Sequence, residues 1–361
     1  MTRVLNFAPG PSALPLAVLE KTQADLVEDG DSGLSVLEHT HRGPVYAAIH
    51  AEAKALLRST LGIGDAYEIL FMQGGARGQF AIIPMNLLSA GKSADFITTG
   101  TWSEKALAEA QRIATGREAA NTKTDGTFVR VPTHDELTLD EDAAYVHMTS
   151  NNTIFGTQFS SFPKTKAPLI VDMSSDIAWR PMNMDQFGLV YAGAQKNLGI
   201  PGITLVIIRK DVLEASRTDG PEIFRYRNIA KADSLQNTIP TFAVTMMRNM
   251  LRWIGDLGGL EAMEARNRGK ARRLYDALAA SGGFYRCPVD EDSRSMMNVV
   301  FRLPSEDLEA QLVKRAAEHK IVGIKGHRSV GGLRVSLYNA IEPSAVDTLV
   351  ELLQEFAAKN G

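Results

Sequence analysis

APLIVDMSSDIAWRPMNMDQFGLVYAGAQKNLG, residues 167–199, holds two short apolar runs, each of which ends beside a reactive side chain. PLIVD stops at Asp172, and LVYAGA stops two residues ahead of Lys196. Consecutive apolar, often β-branched positions of this length read as strands buried on both faces. The same texture continues outward. YEILFMQ (67–73), ADFITTG (94–100) and AYVHMTS (144–150) are predicted strands on the N-terminal side, and ITLVIIR (203–209) follows on the C-terminal side. Helical patterns fill QFAIIPMNLL (79–88) and WSEKALAEAQRIA (102–114) between them. Strands alternating with helices predict an α/β fold with a mostly parallel sheet covered by helices. Further helices are predicted at Leu16–Glu28 and Val45–Leu61, after an irregular opening marked by PGP (9–11) and Pro15. A long helical stretch at Thr241–Ala280 leads to a small α/β unit, with strands in MMNVVFRL, IVGIKG and LRVSLYN. The expected division is a large domain, 1–258, with its N-terminal segment, and a small C-terminal domain, 259–361.

Composition narrows the function. Of 361 residues 44% are hydrophobic, enough for a substantial core without disulfides or structural metal. The 39 basic and 42 acidic residues give a net charge of -3 and form no basic tract, which argues against nucleic acid or an anionic membrane as partner. Cys287 is the only cysteine, so no intrachain disulfide can form and a reducing compartment is expected. MTRVLNFAPGPSALP lacks the apolar centre of a secretion signal, and runs such as ITLVII (203–208) are too short to span a bilayer. A cytoplasmic location is expected.

In open α/β sheets ligands bind at the carboxyl ends of the strands. GGARG (74–78), Asp172 and Lys196 all fall there. Pyridoxal phosphate (PLP) chemistry needs a lysine to anchor the cofactor and an acid to keep its ring nitrogen protonated. A lysine among small residues after an apolar strand is suited to a lowered pKa, and so to proton transfer. Taken alone, the pair also fits a surface lysine in a turn and a capping aspartate. GGARG allows close backbone approach of an anion ahead of a helix, with Arg77 nearby, and fits a plain turn equally. Trp102 can stack on a planar ring, or simply pack in the core. Thr153 can hydrogen-bond a ring hydroxyl, or cap. EHTHRG supplies His39, His41 and Arg42, and GHRSVGGLRVS supplies His327, Arg328 and Arg334. Arginines hold carboxylate or phosphate through paired hydrogen bonds, so two His-Arg pairs can converge on one dianion while Arg334 takes an α-carboxylate. Taken singly, these arginines also fit solvated or salt-bridged roles.

NFAPGP, EHTHRGP (38–44), GGARGQF (74–80), TGTWS (99–103), SNNTIFGTQF (150–159), VDMSSD (171–176), AGAQKNLGIPG (192–202), ADSLQNTIPTF (232–242) and GHRSVGGLRVSLYNA (326–340) together resemble the phosphoserine aminotransferases. These are fold-type I, class-V PLP enzymes, and the likeness runs nearly end to end. It implies that Lys196 forms the Schiff base and that Gln195, Ala76 and Arg77 lie at the cofactor phosphate. By the same resemblance Asp172 pairs the pyridine nitrogen, Trp102 stacks on the ring and Thr153 binds its O3′ side. Asn237 and Thr238 reach the cofactor phosphate of a neighbouring subunit in a homodimer. His41, Arg42, His327 and Arg328 hold the substrate phosphate or the glutamate side-chain carboxylate, and Arg334 holds the α-carboxylate. The implied reaction exchanges an amino group between L-glutamate and 3-phosphohydroxypyruvate in serine biosynthesis, and extends to 4-phosphohydroxy-L-threonine in vitamin B6 synthesis. Two departures stand out. Pro9 occupies a position where some family members carry a substrate-contacting serine, and Ala76 stands where others have glycine, leaving only its backbone to contact the phosphate.

Three other readings are weaker. A cysteine desulfurase needs a thiolate on a mobile loop, whereas Cys287 in FYRCPVD enters a strand of the small unit. An alanine–glyoxylate-type class-V aminotransferase would not need two His-Arg pairs. A catalytically silent PLP-binding regulator would carry an added DNA-binding or partner domain, for which the chain has no segment.

Overall fold

The central strands follow the apolar runs closely because each has apolar side chains on both faces and helices to bury both. The structure, a computed structural model, describes residues 3–361. In chain order its principal elements begin with β1 (Leu5–Asn6), α1 (Leu16–Asp25), α2 (Pro44–Leu61), β2 (Tyr67–Gln73) and α3 (Gln79–Leu87). They continue with β3 (Ser93–Thr98), α4 (Thr101–Ile113), β4 (Thr115–Asn121), β5 (Val146–Thr149), β6 (Leu169–Asp172), β7 (Leu189–Gly193) and β8 (Ile203–Arg209). Strands β2 to β8 form one seven-stranded sheet in the order β2-β8-β7-β6-β5-β3-β4. Its pairs are parallel except at β8, which runs antiparallel to β7 and β2. Ile69, Phe71, Val171, Val190 and Leu205 face one layer with residues of α2 and the later helix Thr241–Asp256. Leu70, Met72, Ile170, Leu189 and Val206 face the other, with α3 and α4. Asp172 shares the face of Ile170 and so points toward the α3/α4 side at the sheet's carboxyl edge.

Two departures from the sequence reading have physical causes. β4 (TGREAAN), which the sequence reading did not place, lies at the sheet's edge and is largely accessible, so it carries charge where central strands carry apolar residues. The long helix expected at Thr241–Ala280 is two helices, α5 (Thr241–Asp256) and α6 (Gly259–Ala279). Gly258 between them sits at φ +97°, a conformation that ends a helix and that side chains resist.

Beyond that break, β9 (Asn298–Phe301) pairs antiparallel with β11 (Leu333–Ser336), while β10 (Ile321–Val322) pairs parallel with β1. Helices α6, α7 (Glu306–Glu318) and α8 (Pro343–Asn360) complete a second core around Leu274, Val299, Phe301, Leu312, Val335 and Leu349. A domain division at residues 258/259 stays our proposal, supported by these separate cores. The opening segment, grouped by the sequence reading with the large unit, buries Phe7 in the second core. Buried amides join the two units beside the site. Asn197 Oδ1 accepts from the Asn339 amide at 3.0 Å, Asn339 Nδ2 donates to Ala178 O at 2.8 Å, and Asn151 Nδ2 donates to Asn298 Oδ1 at 2.8 Å. Such satisfied buried networks fix geometry firmly.

Candidate active site

Asp172 ends β6 and is buried, 6% exposed. Its Oδ1 accepts from the Ser174 amide at 2.9 Å and the Ser174 hydroxyl at 2.6 Å. Its Oδ2 has no hydrogen-bond partner among the described residues and is left to a ligand. Burial raises the carboxyl pKa, opposed by the Ser174 bonds and by Lys196. A second buried carboxyl, Asp176, accepts from the Ser150 hydroxyl and from Gln158 Nε2, and burial pushes it up to about 6.

Lys196 sits in the loop that follows β7. Its Nζ has no hydrogen-bond partner among the described residues, and no ion pair within 4.0 Å joins it to Asp172. Burial lowers its pKa to about 8; attraction to Asp172 and Asp176 limits the fall, and Arg334 adds to it. The opening segment holds this loop from above. Ser12 Oγ donates to Lys196 O at 2.9 Å, and the Ser12 amide donates to Gln195 O at 3.0 Å. Gly10 packs on the Lys196 side chain at φ +143°, and it is this backbone angle, which side chains rarely adopt, that calls for glycine there, since a Cβ would make only ordinary contact with Lys196 Cγ at 3.5 Å. An amine titrating near 8 is neutral in about one molecule in ten at pH 7, against roughly one in 2,500 for an ordinary lysine. The rate at which cofactor-free protein takes up pyridoxal phosphate should therefore climb as pH rises through 8 and then level off. Absorbance kinetics between pH 6 and 10 check this; a climb continuing toward pH 10 would refute the depressed pKa.

The GGARG turn lies on the same edge. The Gly74 amide donates to Gly202 O at 2.9 Å and Thr204 Oγ1 donates to Gly74 O at 3.0 Å, tying β2 to the loop after Lys196. Residues Ala76–Gly78 form a 3-10 turn running into α3, so the Ala76 and Arg77 amides precede the first helical bonds and stand free for an anion. Ala76 is buried and the Arg77 side chain exposed. Trp102 opens α4, whose start is fixed by Ser103 Oγ accepting from the Thr99 and Gly100 amides at 2.9 and 3.2 Å. Trp102 Nε1 donates to Thr153 Oγ1 at 3.1 Å, which leaves the Thr153 proton to donate elsewhere. Arg334, 7% exposed, donates through Nη1 to Thr153 O at 3.1 Å, and its buried Nε has no partner.

His327 Nδ1 accepts from the Ser329 amide at 3.2 Å, directing Nε2 away from its own turn. Burial lowers its pKa, as do Arg334, Arg328 and Lys105. Lys196, Asp172, Gln195, Ala76, Arg77, Trp102, Thr153, His327, Arg328 and Arg334 thus share one rim of the sheet. His41, Arg42, Asn237 and Thr238 do not join it: none makes a hydrogen bond or ion pair to that group. His41 and Arg42 lie just ahead of α2, and Asn237 and Thr238 just ahead of α5. His41 is half-buried with Nε2 unpartnered, Arg42 is exposed, and Thr238 O accepts from Gln73 Nε2.

An amine and a carboxylate that face each other without closing an ion pair, a stacking indole and free amides at a helix start suit a planar, phosphorylated, ring-nitrogen cofactor. The aminotransferase class-V family model matches residues 4–349. The chain belongs to the class-V aminotransferases. This aminotransferase is 49% identical over 360 residues to the phosphoserine aminotransferase of Niallia circulans, covering 99% of both chains. The solved phosphoserine aminotransferase from Bacillus circulans subsp. alkalophilus superposes with a TM-score of 0.97 at 49% identity, again over 99% of each chain. The PLP-bound phosphoserine aminotransferase from Trichomonas vaginalis gives 0.93 at 39% identity, over 98% of this chain and all of that one.

Sequence reasoning missed Ser174, Asp176, Gly10, Ser12 and Lys105. Ser174 alone left a local signal, a serine two residues after the aspartate it binds. Among the described residues no helix is long and apolar enough to cross a membrane, and no His/Cys/Asp/Glu group is placed to hold a metal.

Proposed function

We propose that the chain transfers an amino group between L-glutamate and 3-phosphohydroxypyruvate, giving O-phospho-L-serine and 2-oxoglutarate, with pyridoxal phosphate as cofactor. The observation that carries this reading is the unbridged Asp172–Lys196 pair beside a cationic pocket, in a chain 49% identical to a phosphoserine aminotransferase over its length. Bound pyridoxal phosphate supplies an electron-withdrawing ring that acidifies the C–H bond next to the amino group. Asp172 Oδ2 would hold the ring nitrogen's proton. The Ala76 and Arg77 amides, with Gln195, would hold the phosphate, and Trp102 would lie against the ring. Thr153 would donate its hydroxyl to the ring oxygen. Lys196 Nζ anchors the cofactor and then takes the proton from the substrate Cα, a task suited to a base titrating near 8. Arg334, with Nε uncommitted, takes the α-carboxylate.

Arg328 presents positive charge, and His327 an Nε2–H donor, to the distal group, phosphate or carboxylate. His41, Arg42, Asn237 and Thr238 make no bond to this pocket, and the segment that carries His41 and Arg42 also exposes Leu34, Leu37 and Val45. A symmetric pair of chains, each lending these four residues to the other's pocket, accounts for both features. A cytoplasmic, reducing setting accords with the lone Cys287. Use of 4-phosphohydroxy-L-threonine follows from the same pair of anionic handles.

The test compares amino acceptors with glutamate as donor. The holoenzyme should convert 3-phosphohydroxypyruvate with kcat/KM at least about 100-fold above glyoxylate, since each lost charge-assisted contact costs about a factor of ten or more. Glyoxylate as the better acceptor would overturn the reading in favour of the alanine–glyoxylate type.

A further inference from the structure

We propose that Lys105 is a substrate-binding residue, the cation that makes this pocket favour a dianionic phosphate over a carboxylate. The inference deepens the reading above and rests on it for the identity of the substrate.

Lys105 follows Trp102 by three positions on α4, so both lie on one helix face. Its Nζ stands 4.9 Å from the centre of the Trp102 ring. Trp102 is bonded to the Thr153 hydroxyl, and Arg334 to the Thr153 carbonyl, each at 3.1 Å. Lys105, Trp102, Thr153 and Arg334 therefore form one contiguous group. Trp102 and Val330 pack on the same patch of Phe128, Ile154 and Phe155, which brings the turn bearing His327 and Arg328 over the start of α4. Lys105 is near enough to His327 to disfavour its charged form, as Arg328 and Arg334 also do.

The charges near Lys105 are unbalanced. Elsewhere on α4 they pair off: Glu104 with Lys123 at 2.8 Å, and Glu109 with Arg112. Among the described residues no carboxylate lies within 4.0 Å of Lys105, Arg328 or Arg334. Lys105 is half-buried, Arg334 buried and Arg328 exposed, and like charges gathered in this way repel unless an anion sits among them. A phosphate monoester carries about -1.5 to -2 near neutral pH, against -1 for a carboxylate. A further cation thus gains more from the phosphate than from the glutamate side chain. A purely structural alternative is that Lys105 only steadies the Trp102 ring.

Lys105→Met and Lys105→Arg holoenzymes separate the two. The half-reactions with 3-phosphohydroxypyruvate and with glutamate are measured singly by stopped-flow absorbance. For K105M, kcat/KM toward the phosphorylated acid should fall about 10- to 100-fold, chiefly through KM, while the glutamate value falls less than about 3-fold. K105R should recover most of the loss. Equal losses in both half-reactions, or none in either, would overturn the proposal. Calorimetric titration with inorganic phosphate gives a second readout that does not depend on turnover. Phosphate should bind K105M at least about 10-fold more weakly than wild type, and unchanged binding would overturn the proposal. If wild type fails to convert the phosphorylated acid, the assigned reaction falls, and phosphate binding still decides the role of Lys105.

Discussion

Replacing Lys196 with alanine abolishes transamination: kcat should fall by at least about 10^4-fold, the loss expected when a positioned base and the cofactor's covalent anchor go together. Among the described residues the one fully buried lysine, Lys270, donates to Leu337 O and Tyr338 O at 2.9 and 2.8 Å, is committed to the junction between the two units and cannot take over. Lys196 Nζ, by contrast, makes no hydrogen bond that the fold relies on, so the variant should melt near the wild-type temperature. Removing a desolvated amine with a depressed pKa even relieves strain below pH 8, where the wild type must protonate it against burial. Activity by coupled assay and Tm by calorimetry check both halves. Turnover within about 100-fold of wild type would remove Lys196 from the chemistry.

The second large effect is at Asp172. Asp172→Ala should lower kcat by about 10^2- to 10^3-fold, the range for losing one preorganised charge aimed at a reacting centre. Two accompanying signs distinguish this from general damage. Asp172 is buried at the expense of its ionised form, so Asp172→Asn, which keeps an oxygen for the two Ser174 bonds while removing the charge, should leave Tm unchanged or higher, as at sites where function is bought with stability. Asp172 also holds the Lys196 pKa up, so in D172A the pH midpoint for uptake of pyridoxal phosphate should move below that of the wild type. Lost activity with a lowered Tm and an unmoved midpoint would assign Asp172 a structural role only.

The doubly covered strands were legible because their residues must be apolar on both faces: β6, β7 and β8 leave no alternative pattern. Asp172 and Lys196 were legible for a related reason, being polar groups where apolar runs stop at the sheet's carboxyl edge. β4 was not, since an edge strand needs only one buried face. The break at Gly258 did leave a signal, the run GDLGG (255–259), whose three glycines disfavour helix and two of which, Gly258 and Gly259, take positive φ; the helical periodicity on both sides masked it. The grip of Ser12 on the Lys196 loop spans 184 positions, and the approach of Gly10 to Lys196 is as remote, so no local pattern announces either. Lys105 was invisible as a binding residue because its significance lies in having no acidic neighbour in space, although acidic residues stand close to it in sequence.

Reducing the pyridoxal-phosphate-loaded enzyme with borohydride, digesting it and locating the added pyridoxyl mass tests the central claim most directly. The mass should fall on the single peptide containing Lys196, at close to one equivalent per chain. A label on any other lysine, or none at all, would contradict the account.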